Sequence, residues 1–364
     1  MKIPRIASYI FRKMSYKIVD DVKLYNISQR FLKKNLQLRE LCQATTFNYN
    51  ENFISENGKV EERKYEMYFP AIQVCTVKNA TVDMQNGACT LEDQTLFRET
   101  ISIQKNFFEH VKRKTITLPT KSSNYFKNAS VVTHNTNAWH FYFDDLGYLL
   151  LLKQQQNIEN IVTPPETSSF ATNALKLMFP EANFFETKRK LKIDHYTFLT
   201  RGRNSQFPNP LVVRALISNF KLDTREIDNS DRSKILYISR SRSLARKIAG
   251  EGELHKLIEA RGGDVIWLED HSFEQQVEIL SKYNFVIGLH GAGLSSMMWM
   301  PENSTVIEIL PRVGANACYM ALANSCSHHY YSINCESVDG NEFGKSPTKF
   351  LNKFLENKFL EMSN

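Results

Sequence analysis

The stretch Asn284-Phe-Val-Ile-Gly-Leu-His290-Gly-Ala-Gly293-Leu-Ser-Ser limits what this chain can fold into more than any other. An apolar run with no polar face passes directly into a turn carrying Gly288, Gly291 and Gly293, and residues 294–300 then give a helical turn before Pro301. Such a run predicts a strand covered on both faces, as in a parallel sheet. Glycine lets backbone approach another group without a Cβ clash, and the bare amides and positive dipole end of the following helix face whatever lies above. Together they predict a cradle for a phosphate, with His290 donating a hydrogen bond to a phosphate oxygen. The same residues also describe a tight strand-to-helix turn that holds nothing, so the surroundings must decide.

Upstream, the strand-length run 234–239 ends in Arg240, Arg242 and Arg246. A helical segment 253–260, a Gly262-Gly263 stop, a strand 265–268, an amphipathic helix 273–282, the glycine turn and a strand 305–310 follow. Strands alternating with helices of about ten residues predict a parallel sheet with right-handed crossovers, whose ligands lie at the carboxyl ends of the strands. The arginines and the glycine turn both sit at such ends. Arginine suits a diphosphate because its planar fork makes paired, charge-assisted hydrogen bonds. A solvated basic loop is the other reading of residues 239–247, but beside the glycine turn the arginines favour a nucleotide diphosphate site.

The block 236–311 resembles glycosyltransferase family 61. The resemblance rests on Tyr237-Ile-Ser239-Arg240, Arg246-Lys247, Glu251 with Glu253, Leu268-Glu-Asp-His-Ser-Phe-Glu-Gln-Gln-Val277, His290-Gly-Ala-Gly-Leu294 and Val306-Ile-Glu308, in that order. A second part, Asn137-Ala-Trp-His140-Phe-Tyr-Phe-Asp144-Asp-Leu146, is similar to the family's aromatic segment, and Phe207-Pro-Asn-Pro210 to its lead-in to an interdomain helix. Two departures stand out: Gly250 where the family has Asn before its acidic residue, and Gly147-Tyr148 where it has Pro-Arg. The resemblance implies a GT-B architecture, an α/β fold of two Rossmann-like domains facing across a cleft, and an inverting transfer of sugar from a nucleotide-sugar donor. The expected division is a basic segment 1–40, an acceptor-side domain 41–230, and a donor-binding domain 231–364 closed by a C-terminal helix.

In such a reaction an acceptor hydroxyl attacks the anomeric carbon and a nucleoside diphosphate leaves, so growing negative charge must be stabilised. Ser239, Arg240, Arg246, His290 and the backbone of Gly291, Ala292, Gly293 and Leu294 are the expected binders. Glu308 is expected to accept from the ribose or base, or else to pair with an arginine. His140 and Asp144 stand four apart, on one helix face, so the carboxylate can orient the imidazole, and Asp144 or His140 is the expected general base; a pair that satisfies itself in a core is the alternative. Asp144-Asp145 is not read as a metal site, because adjacent helical residues point about 100° apart. No metal and no cofactor beyond the donor is expected.

A content of 42% hydrophobic and 23% charged residues excludes a disordered chain. Of the net charge of +7, all lies at the front: residues 1–41 hold ten Lys or Arg against three acidic residues, leaving 36 of each in the rest. Ile3, Ile6, Ile10, Phe11 and Met14 share a helical face there, giving either a helix that lies on an anionic membrane surface or one that packs on its own domain. No aromatic platform accompanies the charge, so nucleic acid is not an expected partner. No apolar run is long enough to span a bilayer and no signal peptide is evident. The six cysteines lack a Cys-x-x-Cys pair and read as reduced, buried thiols. The sequons at Asn26, Asn79, Asn128 and Asn303 are at chance frequency. These features place the expected enzyme in the cytoplasm or on the inner face of the membrane, acting on a glycan or lipid-linked glycan of capsule, lipopolysaccharide or another surface polysaccharide. The alternatives are an inactive nucleotide-sugar or glycan binding module and a protein O-glycosyltransferase of the secretory pathway.

Overall fold

The computed structural model describes residues 17–19, 36–56, 58–84, 87–91, 95–97, 124–133, 137–165, 167–200, 207–220, 234–244, 246–313, 315–338 and 341–363. The proposed amphipathic helix near the N-terminus and the polar stretch 223–233, which reads as a linker between the halves, lie outside the described residues.

The protein is a mixed α/β fold with two seven-stranded sheets, a three-stranded sheet and a short hairpin. One large sheet runs in the order Asp264–Ile266, Ile235–Ile238, Phe285–Leu289, Thr305–Leu310, His329–Asn334, Thr45–Ile54 and Val60–Phe69. Its first six strands are parallel. Numbered along the chain from residue 235, the first five strands stand in the doubly wound order 2-1-3-4-5. Strand order reverses between Ile235–Ile238 and Phe285–Leu289, and the crevice above such a reversal is where open α/β sheets bind ligands. Every residue of Phe285–Leu289 is buried, as its unbroken apolar run requires.

The crossovers are fixed by local signals. Ser272 and Gln275 form a reciprocal capping box at the start of helix Phe273–Ser281, an arrangement that satisfies two otherwise bare amides. Helix Glu251–Ala260 begins after Gly250, whose φ of +73° is left-handed. Only Gly, and less readily Asn, takes that conformation cheaply, which explains why glycine stands where the resembling family has asparagine. The segment after the glycine turn, expected as a helical turn over 294–300, is a 3-10 helix, Ala292–Trp299. The final helix, Thr348–Ser363, buries Leu351, Phe354 and Leu355 beside Leu254 and Ile258.

The first half departs from a Rossmann-like domain. Its large sheet is mixed: the central strand Ile72–Val82 pairs antiparallel with Leu191–Leu199, Leu36–Cys42 and Cys89–Thr90. The turn before Cys89 closes as a hairpin with Gly87 at φ +72°; Asn86 lies outside the described residues. The same sheet holds two parallel pairs, Leu191–Leu199 with Asn124–Asn128 and Lys17–Val19 with Thr95–Phe97, and a separate, wholly parallel sheet is small, comprising Ser130–Val131, Asn160–Thr163 and Asn183–Glu186. Residues 45–69, expected in the first domain, form a hairpin that extends the second sheet instead. The buried Glu51 fixes it there by accepting from Ser332 Oγ at 2.6 Å and Tyr65 Oη at 2.8 Å.

A shared core joins the halves. Tyr142, Phe220, Phe273 and Trp299 meet edge-on or tilted, with Phe220 4.9 Å from both Phe273 and Trp299 between ring centres. Each such pair contributes about 1 kcal/mol beyond its buried area. Helix Pro210–Asn219, capped by Asn209 and opened by Pro210, packs on helix Gly147–Lys153, whose Leu149 to Leu152 are all buried. A Cβ on Gly147 would stand 2.4 Å from Val212 Cγ1, so glycine is what lets these helices approach.

Candidate functional site

A cavity of about 570 Å³ opens above the reversal point of the parallel sheet, within the range of small-molecule sites. Arg240, Arg246 and His290 line it from the second half, and Trp139 and His140 from the first.

Strand Ile235–Ile238 is wholly buried, and the chain leaves it around one carboxylate. Glu251, itself buried, accepts from Tyr237 Oη at 3.1 Å, Ser239 Oγ at 3.0 Å and the Arg240 amide at 2.7 Å. This fixes the direction in which Arg240 leaves the sheet. Its Nη1 then donates to the His290 carbonyl at 3.1 Å and its Nη2 to Ser243 Oγ at 3.1 Å. Burial first, and the neighbouring Arg246 second, hold the Arg240 guanidinium below its ordinary value. Two cations held together in a partly buried wall favour an anionic ligand. Arg242, by contrast, turns outward: its Nη1 donates to both carboxylate oxygens of Asp270, at 2.8 and 2.7 Å, and its guanidinium lies 4.3 Å from the Trp267 ring centre.

Gly291, Ala292 and Gly293 reach the cavity, and among the described residues nothing accepts from their amides. Leu294 does not reach it: its amide donates to the Gly291 carbonyl at 2.9 Å, and its side chain packs under Gly288. The tighter 3-10 turn consumes that amide. Gly291 serves a purpose beyond ligand approach, since a Cβ there would lie 1.2 Å from Arg240 Nη1.

Glu308 corrects the sequence reading. It is fully buried and does not line the cavity. One carboxylate oxygen accepts from His290 Nδ1 and the other from Tyr330 Oη, so neither oxygen is presented to a ribose or base. Its place is behind His290. A carboxylate only accepts, so Nδ1 carries the hydrogen and Nε2 is the ring nitrogen left for a ligand.

Opposite, His140 Nδ1 lies 2.7 Å from Asp144 Oδ2. Asn137 caps this short helix, and residues 141–146 continue as a π-helix, a form frequent at functional sites. With the hydrogen on Nδ1, the basic nitrogen of a neutral ring is Nε2. Asp144 lines a separate cavity of about 50 Å³ rather than the main one, so it acts on the imidazole from behind. Asp145 is buried and accepts from the Thr133 amide at 2.8 Å. The two aspartates thus serve different partners, and no group of three metal-ligating side chains occurs among the described residues.

Tyr319, missed in the sequence, joins the two walls: its ring meets His290 at 5.1 Å and Trp139 at 4.9 Å between centres. It sits at the start of helix Cys318–Ser325, where no motif signals a role. Cys318 borders the same wall; all six cysteines are free thiols, five of them buried.

Cations and bare amides at the reversal point of a doubly wound sheet make an α/β protein whose crevice suits an anionic ligand. Residues 138–307 match the family described as Glycosyltransferase 61. The chain is 34% identical over 74 residues to Protein O-linked-mannose beta-1,4-N-acetylglucosaminyltransferase 2 of Xenopus laevis, covering 20% of this chain and 13% of that protein. It is 26% identical over 112 residues to EGF domain-specific O-linked N-acetylglucosamine transferase of Bos taurus, covering 29% and 21% respectively. The chain therefore matches less than a quarter of the length of either relative. No described helix is long and apolar enough to cross a membrane.

Proposed function

We propose that this protein is a glycosyltransferase that moves a sugar from a nucleotide-sugar donor to a hydroxyl, with inversion at the anomeric carbon. One observation carries the reading: Arg240, Arg246 and His290 face His140 across a single cavity above the reversal point of a parallel sheet. The family match supports it. A two-lobed GT-B arrangement is part of the proposal, with 231–364 as the donor side; the wall contributed by Trp139 and His140 supports an acceptor side in the first half.

In the proposed reaction His140 Nε2 takes the proton of the acceptor hydroxyl while Asp144 holds the ring. The oxygen forms a bond to the anomeric carbon from one face as the bond to the diphosphate oxygen breaks on the other. The electron pair leaves with the diphosphate, where the guanidinium groups, His290 and the bare amides stabilise it. No metal is assigned a part.

The relatives are named for O-linked mannose and for EGF domains. Their names favour a protein hydroxyl or protein-borne glycan as acceptor over the capsule or lipopolysaccharide acceptor expected from the sequence. Attachment to the inner face of a membrane belongs to the second reading. A thermal-shift panel of nucleotide sugars, followed by transfer assays with glycoprotein and polysaccharide acceptors, tests both. A ligand must raise the melting temperature by mass action. No shift with any nucleotide sugar, or Arg240→Ala leaving nucleotide affinity unchanged, overturns the proposal.

A further inference from the structure

Strand Val60–Phe69 stands at the end of the second large sheet, pairing with Thr45–Ile54 and, among the described residues, with no other strand. Residues 60–66 are all exposed, and Tyr68 is 61% exposed. The bond from the Ser55 amide to the Lys59 carbonyl at 2.9 Å closes the hairpin and sets its phase. Bonded and non-bonded pairs alternate along an antiparallel ladder, so the amides and carbonyls of Glu62, Lys64, Glu66 and Tyr68 point away from Thr45–Ile54. A free edge of this length is a template for another strand.

The side chains of those four residues share one face of the sheet. They make no hydrogen bond or ion pair among the described residues, whereas the other face is committed to the hairpin itself: Arg63 pairs with Glu51 and Glu61 and covers the Phe53 ring, and Tyr65 Oη donates to Glu51. Charges on an edge strand are a common guard against pairing. Here their order, Glu62-x-Lys64-Tyr65-Glu66-x-Tyr68, is complementary to its own reverse.

Symmetry decides the register. Two copies that meet edge to edge and antiparallel are related by a two-fold axis perpendicular to the sheet, and the pleat requires facing residues to lie on the same face. One residue must then stand on the axis, opposite its own copy. Glu62, Arg63, Lys64 and Glu66 are excluded from that place, because like charges directly opposite are destabilising. Tyr65 is the uncharged residue at the centre of the strand. With Tyr65 on the axis, Lys64 faces Glu66 twice and Glu62 faces Tyr68 twice, while Arg63 and Glu61 fall opposite Met67 and Phe69.

We propose that this edge binds the same edge of a second copy of the chain, with Tyr65 on the two-fold axis and the two seven-stranded sheets continuous across it. The edge lies four strands from Phe285–Leu289, about 19 Å, so the cavity stays open in the dimer. The inference stands apart from the reading of the donor site.

Sedimentation equilibrium of the full chain tests it, using wild type, Lys64→Glu, Glu66→Lys and the double exchange. Equal melting temperatures confirm that all four fold. The wild type should dimerise, more weakly at high salt. Each single exchange turns two attractive cross-strand pairs into repulsive ones and should raise the dimer dissociation constant about tenfold or more. The double exchange restores both pairs with their signs reversed and should return the constant to near the wild-type value. A wild type that is monomeric at every concentration reached, single variants that dimerise as tightly as wild type, or a double variant no tighter than the single ones overturns the proposal.

Discussion

Arg240 rests against the bare Cα of Gly291: its Nη1 stands 1.2 Å from where a Cβ on Gly291 would be and donates to the His290 carbonyl at 3.1 Å. The first strand end thereby uses the glycine of the second as its seat. Gly291 itself has φ 165°, an extended conformation open to any residue.

Gly291→Ala should therefore act through Arg240 rather than through backbone strain. Nucleoside diphosphate affinity, read by calorimetry, should fall about 10- to 100-fold, as for Arg240→Ala, because each removes a charge-assisted contact. The double variant should be no weaker than either single one, since coupled residues are not additive. Additive losses would show that the two act separately.

The neighbouring aspartates should separate cleanly. Asp144 is partly exposed and holds His140, whereas Asp145 is buried on the Thr133 amide. Asp144→Asn should lower kcat by about a hundredfold or more and alter the pH–rate profile, with the melting temperature close to wild type. Asp145→Ala should leave a buried amide without its acceptor and destabilise by about 1–3 kcal/mol in urea denaturation.

Removal of Glu308 should first be felt in stability. The fully buried carboxylate serves His290 and Tyr330 at once, and breaking such a buried arrangement costs about 3–5 kcal/mol. Glu308→Ala should lower the urea midpoint accordingly. Wild-type stability with selective loss of nucleotide binding would restore the direct ligand contact that its burial argues against.

Acid sensitivity should trace in part to His328. Burial holds its imidazole down at about 4 from an ordinary 6.5, against the opposing effect of Nε2–H donating to the Met297 carbonyl at 2.9 Å. Between those values the unfolded chain binds more protons than the folded one, so this stabilisation is complete above 6.5 and is lost as pH falls toward 4. The loss from pH 7 to pH 5 is about 2 kcal/mol. His328→Gln should flatten that part of the stability–pH curve measured by urea denaturation.

Local chemistry in the sequence was enough for the second half. An unbroken apolar run determines a doubly covered strand, Gly262-Gly263 a helix stop, and Ser272 with Gln275 a helix start; each acts within a few residues, and the strands at 235, 264, 285 and 305 follow. The facing of His140 and Asp144 was legible for the same reason, since four residues make one helical turn. What the sequence left open required partners far apart in the chain. Residues 45–69 carry no signal that they pair with the strand at 329 rather than with their own neighbours, because register across a sheet is settled by which faces are buried once both strands are present. Glu308 looked like a strand-end ligand until Tyr330 and His290 enclosed it. Tyr319 and Glu269 become cavity walls only because a crossover helix and a 3-10 turn bring them beside Arg240, and the ordering of strands, not any spacing along the chain, decides that.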